Sequence, residues 1–184
     1  MRTHPDLDEI VFGERGMLKG IEACIDKECI VSSVALVYSC IDSLAALTRP
    51  KTQLDTTKQQ FIDWVGKYFD LDSKLKCTAE DLYGARCGVL HTYSSESGFR
   101  RSGKANPVFY CWRNGPSADA QIPMPKNSIE ISIEDLFDEL RRAVKSFFED
   151  LEHNSELGKK VSHHKRDLLC YRPFTNENIA FRQQ

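Results

Sequence analysis

No Cys-x-x-Cys spacing occurs in the 184 residues, although seven cysteines are present, at 24, 29, 40, 77, 87, 111 and 170. An odd number at irregular spacing makes neither a disulfide framework nor a recognisable zinc site, and several of these thiols lie in apolar runs, where they behave as small hydrophobes. A reducing compartment, the cytoplasm, suits them best. Long hydrophobic runs are missing as well. The N-terminus MRTHPDLDEI lacks the apolar stretch of a signal peptide, and the longest apolar run, around Val34 to Cys40, is too short to cross a bilayer. A large net charge of one sign is also lacking. The formal value is −2 with 28% charged residues, so any attraction for a polyanion must be local. The length fits one domain, able to bury about 70% of the surface its unfolded chain exposes.

Proline is absent from about Gly16 to Leu47, where Ile21, Ile25, Ile30, Val34, Val37, Tyr38, Ile41 and Leu44 recur at helical intervals. This predicts one long helix or two in series, the second half apolar nearly all round, as in a helix central to a bundle. Arg49-Pro50 ends it. Thr57 and Gln60 have capping-box spacing, and Phe61, Trp64, Val65, Tyr68 and Phe69 then predict an amphipathic helix. A third helix is expected from Thr78, with Glu80 and Asp81 in its first turn, and a turn-like segment TYSSESG follows at 92–98.

Residues 108–112 and 129–133 have strand character and are expected to pair as a small β-hairpin, an insertion at about 107–133, around Asn114-Gly115-Pro116 and the prolines at 123 and 125. Ser132 is placed to cap a last strong helix with Leu136, Phe137, Leu140, Val144, Phe147, Phe148 and Leu151 on one stripe. The organisation predicted is a single mainly α domain over 1–158, a bundle of four to five helices with the hairpin inserted, and a basic C-terminal tail over 159–184 containing Lys159, Lys160, Lys165 and Arg166. His153, His163 and His164 are read as surface residues.

Chemistry concentrates in the third helix, in RCGVLH at 86–91. At 100° per residue, Leu82, Ala85 and Val89 share the side expected to be buried, while Tyr83, Cys87 and His91 run along another. Arg86 and His91 leave an ideal helix about 140° apart, too far round to meet easily on one straight segment. A second copy packing across a two-fold axis would bring them into one groove. Gly84 and Gly88, each costing ~1 kcal/mol in a helix interior, would let another backbone approach, either that of a second copy or that of a neighbouring helix in the same chain.

These residues carry a resemblance. "EDLYGARCGVLHTYSSES" and the preceding "VALVYSCIDSLAAL" resemble the HEPN superfamily (higher eukaryotes and prokaryotes nucleotide-binding domains), helical bundles whose ribonuclease members carry Arg-x(4–6)-His. Arg86 and His91 match the shortest spacing, and the likeness covers roughly residues 16 to 152, without the hairpin. It implies metal-independent RNA cleavage with no cofactor. The 2′-hydroxyl attacks the adjacent phosphorus, His91 takes its proton, and Arg86 meets the charge that builds on the phosphoryl oxygens. Many active members carry asparagine, aspartate or histidine after the arginine; here Cys87 stands there, and a thiol donates only weakly.

Tyr83, Cys87 and Asp42 are supporting candidates, Asp42 as a carboxylate able to orient Arg86 or as a plain core-edge residue. Arg100, Arg101, Lys104 and Arg113, interleaved with aromatics and with no acid from 97 to 118, are candidate RNA contacts or a solvated loop. The expected partners are RNA, a second copy of the chain, and a protein inhibitor or antitoxin. The alternative is a silent module of the same type that binds nucleotide, RNA or a protein partner.

Overall fold

In the computed structural model, which describes residues 4–92, 97–115 and 124–168, the protein is mainly α-helical with one small two-stranded sheet. The predicted turn residues 93–96, Pro116, Pro123, Cys170 and the end of the tail from 169 lie outside the described residues. Among those described, no helix is long and apolar enough to cross a membrane.

Helices α1 (Pro5–Phe12) and α2 (Met17–Asp26) precede α3 (Ile30–Leu47). The proline-free stretch is thus two helices in series, and the break has a local cause: Glu28 adopts φ 55°, in the left-handed region, and the Cys29 amide donates back to the Cys24 carbonyl at 2.8 Å. α3 is the central helix. Val37, Tyr38, Ile41, Leu44 and Ala45 are fully enclosed, and α2, α4, α5, α7 and α8 all pack against it. Its all-round apolar pattern predicted this position.

α4 (Lys58–Tyr68) begins with the expected capping box: Gln60 N donates to Thr57 Oγ1 at 3.4 Å, and Thr57 N donates to Gln60 Oε1 at 2.7 Å. Phe61, Trp64, Val65 and Tyr68 are its buried face. A π-helical turn at Leu71–Leu75 leads to α5 (Ala79–Thr92). Thr78 and Asp81 cap α5 reciprocally, the Asp81 amide donating to Thr78 Oγ1 at 3.1 Å and the Thr78 amide to Asp81 Oδ2 at 2.9 Å. The other oxygen of Asp81 accepts from the Asn106 amide at 2.6 Å, tying the approach to the sheet onto α5.

The short α6 (Gly98–Arg101), capped by Ser97, lies against α5. Strands β1 (Val108–Cys111) and β2 (Ile129–Ser132) pair as expected in position but run parallel, in register Val108↔Ile129 to Cys111↔Ser132. The insertion is therefore not a hairpin. Parallel strands need a crossover of about a dozen residues or more, which 112–128 supply. Tyr110 on β1 reaches Tyr38 on α3, hydroxyl to hydroxyl at 2.5 Å, and anchors the sheet to the bundle.

Ser132 caps α7 (Ile133–His153), accepting from the Asp135 amide at 3.0 Å, and the predicted stripe is the buried one. Beyond it the chain departs from a tail. Asn154 caps α8 (Ser155–His164), which runs through Gly158 and packs Leu157, Val161 and His164 onto α3 and α7. His164 is 3% exposed, not a surface residue. Leu157, Val161 and His164 fall at i, i+4 and i+7, enough to bury one face despite the basic composition of the other.

Candidate functional site

The site is built where α5 crosses α3 beside the start of α4. Leu82 and Ala85 are buried in the core and Val89 packs against it, which fixes the rotation of α5 and turns Arg86, Cys87 and His91 outward. Arg86 lands opposite Asp42 of α3. Its Nε and Nη2 both donate to Asp42 Oδ2, at 2.8 and 2.7 Å. The two side chains are 23% and 24% exposed, so the pair lies at the rim of the core, partly screened by solvent. Asp42 thus orients Arg86 and is no idle core-edge carboxylate.

The remaining terminal nitrogen of Arg86, Nη1, faces His91 Nε2 at 3.5 Å. The two motif residues therefore meet within a single chain. The expectation that a second protomer must bring them together is corrected: a helical wheel locates where the side chains leave the backbone, whereas the arginine stem spans the difference, and His91 stands in the last turn of α5 where it is exposed. At 3.5 Å the contact is longer than a good N–H···N hydrogen bond, and of the two groups the guanidinium can only donate.

Burial raises the Asp42 carboxyl above its ordinary value, even though Arg86 and then His91 pull it down. For Arg86, burial disfavours the charge, and the Asp42 carboxylate with the neighbouring Cys87 more than offsets it, so the guanidinium is held charged. Tyr83 is pushed up by burial first and by its contact with Cys87 one turn on. Tyr83, Cys87, Arg86, His91 and Asp42 thus form one cluster.

A cavity of about 220 Å³ opens beside this cluster, bounded by Arg86, Asp42, Tyr83, Phe61, Lys58 and Thr56. Thr56 and Lys58 were not among the sequence-derived candidates; their only local signal is that they flank the capping residue Thr57. A second cavity of about 370 Å³ shares Asp42 and Thr56 with the first and continues toward Arg49 and His164. A larger cavity, about 740 Å³, lies elsewhere, between α1, α2 and α7. Its charges are mixed, Lys19 bonded to Glu22 at 2.8 Å and Lys145 set against Glu149 at 3.9 Å over a floor of phenylalanines, and it contains none of the motif residues. Size alone does not make it the reactive site.

Of the basic candidates, Arg100 and Arg101 sit on α6, packed against α5, and exposed Lys104 follows in the next turn. Arg113 is engaged elsewhere. Its guanidinium bonds Asp135 Oδ1 at 2.9 Å and Asp138 Oδ2 at 2.8 Å, and its amide donates to Glu134, so the N-terminal turns of α7 neutralise it. Gly84 serves packing within the chain, since a Cβ there would stand 2.8 Å from Ala105 Cβ. Gly88 is buried on the same helix. Among the described residues no group of three or more His, Cys, Asp or Glu side chains is placed to hold a metal ion. Compared with protein-family models, with curated proteins and with solved structures, the chain matches none.

Proposed function

We propose that the protein is a metal-independent endoribonuclease of the HEPN type, acting on RNA in the cytoplasm. The observation that carries this reading is the juxtaposition of Arg86 and His91 at 3.5 Å with Asp42 fixing the guanidinium from behind. In such a reaction His91, exposed at the end of α5, takes the proton of the 2′-hydroxyl. The nucleophile attacks the adjacent phosphorus, the 5′-oxygen leaves, and the products end in a 2′,3′-cyclic phosphate and a 5′-hydroxyl. Arg86 presents Nη1 toward the same space and supplies fixed positive charge as the phosphoryl oxygens become more negative. Asp42 keeps the guanidinium in one orientation, which spares it reorganisation during the reaction.

A second copy of the chain, and a protein inhibitor of antitoxin kind, are proposed partners. With both motif residues converging inside one chain, a dimer would extend the substrate groove and is not needed to assemble the pair. The alternative is a silent module that binds RNA, nucleotide or protein. It is favoured by one feature, that the Asp42 carboxylate holds Nε and Nη2 of Arg86 and offsets the guanidinium's charge toward a phosphate. Incubation of purified protein with end-labelled single-stranded RNA in chelator separates the readings. Cleavage to cyclic-phosphate ends that His91→Ala abolishes supports the nuclease; binding without cleavage supports the module.

A further inference from the structure

Phe61 and Tyr83 make part of the cavity lining aromatic. Tyr83 makes edge-type ring contacts with Phe61 (centroids 5.5 Å apart) and with Phe99 (5.3 Å), which fix the orientation of its ring. Phe99 is in turn covered by the Lys58 ammonium, 5.2 Å from its centroid. Gly84 lets the segment carrying Phe99 come close to α5: a Cβ there would stand 2.8 Å from Ala105 Cβ and 3.5 Å from Phe99 Cδ1. A fixed flat ring, a hydroxyl and carboxylate rim from Thr56 and Asp42, and two cations, Arg86 and Lys58, thus surround one small cavity.

From this, and resting on the reading of the protein as one that acts on RNA, we propose that the cavity receives one nucleobase of a single-stranded RNA against Tyr83, with the adjoining backbone phosphates at Arg86 and Lys58. Bases in a duplex are stacked and paired and cannot enter such a slot, whereas a splayed base stacks on an aromatic ring whatever its identity. Tyr83 and Lys58 then determine which strand is held and where it is placed relative to His91. Neither performs the chemistry.

The test uses strands that cannot be cut. A short 2′-O-methyl RNA has no free 2′-hydroxyl to attack, and its abasic counterpart keeps the backbone charge while removing every base. Fluorescence anisotropy on the full chain is expected to show the base-bearing strand bound roughly ten-fold tighter than the abasic one. Tyr83→Phe keeps that ratio and Tyr83→Leu brings it close to one. Lys58→Glu, at an exposed side chain, weakens both strands by a similar factor. Equal affinity of the wild type for the two strands, or a ratio unchanged in Tyr83→Leu, overturns the proposal. If Tyr83→Leu loses its helical circular dichroism, Lys58→Glu decides instead, and unchanged affinity there overturns it. Because neither strand can be cleaved, a protein that fails as a nuclease still passes or fails this test, and a protein that cleaves RNA with no preference for bases loses this inference alone.

Discussion

Asp42 Oδ2 accepts from both Nε and Nη2 of Arg86, bridging α3 to α5 across 44 positions of sequence. The bond ties the two helices together at the candidate site. Asp42→Ala leaves a partly desolvated guanidinium without its acceptor, a loss of about 1–3 kcal/mol, at the lower end because a quarter of each side chain meets solvent. Urea denaturation of the variant against the wild type measures it, and an unchanged midpoint would show that the pair contributes nothing to the fold. If the protein is a nuclease, the same variant also slows cleavage while His91 is intact, because Arg86 loses its fixed orientation.

Two carboxylates give opposite pH signatures. Asp150 is held below its ordinary value of 3.8 by Lys67 and then by Tyr68, whose hydroxyl donates to it at 2.7 Å. Its contribution is present above that value and is lost as pH falls through the lowered folded-state pKa. Asp42, raised by burial, contributes most below its ordinary value and less as pH rises through its folded-state pKa. Asp150→Asn should therefore flatten the acid limb of a stability-versus-pH curve, and Asp42→Asn should steepen it, in urea midpoints taken from neutral pH down to well below 3.8. The same change of slope in both variants would contradict this assignment.

Gly84 sits mid-helix, where alanine would ordinarily gain ~1 kcal/mol. Here the new methyl would stand 2.8 Å from Ala105 Cβ. Gly84→Ala is expected to lower stability by about 1–3 kcal/mol through overpacking, and adding Ala105→Gly should return most of the loss. Thermal melts of the two single variants and the double variant show whether the coupling exists.

The Tyr38 hydroxyl is fully enclosed and bonded to Tyr110 at 2.5 Å. Tyr110→Phe strands it without that partner and should cost about 1–3 kcal/mol, while the double change Tyr38→Phe with Tyr110→Phe should cost less than the single one. Chemical denaturation of the pair reports the order, and a double variant weaker than the single one would show that the bond is not what holds the sheet to α3.

Much of the helical framework was legible because its signals are local. The capping box of Thr57 and Gln60, the Ser132 cap and the apolar stripe of α7 are all read within a few residues of one another, and the structure realises each. The sheet was legible only in part: alternation marks a strand but says nothing of the direction of its partner, and the two strands run parallel. Long-range charge was not legible. Arg113 lies in a stretch free of acids, yet Asp135 and Asp138 reach it from α7, and a count of charges along the chain cannot see that. The candidate pair was found by spacing, and its closeness was missed because wheel angles track Cβ atoms while a guanidinium stands four bonds further out.

In the proposed function, Arg86 and His91 of one chain form a site that cleaves RNA. Cleavage of end-labelled single-stranded RNA in chelator tests it most directly, comparing wild type with His91→Ala and Arg86→Ala after circular dichroism has shown all three folded. Cyclic-phosphate products are expected from the wild type, with a loss of at least about a hundred-fold in either variant. Intact RNA with the wild type, or equal cutting by His91→Ala, contradicts it.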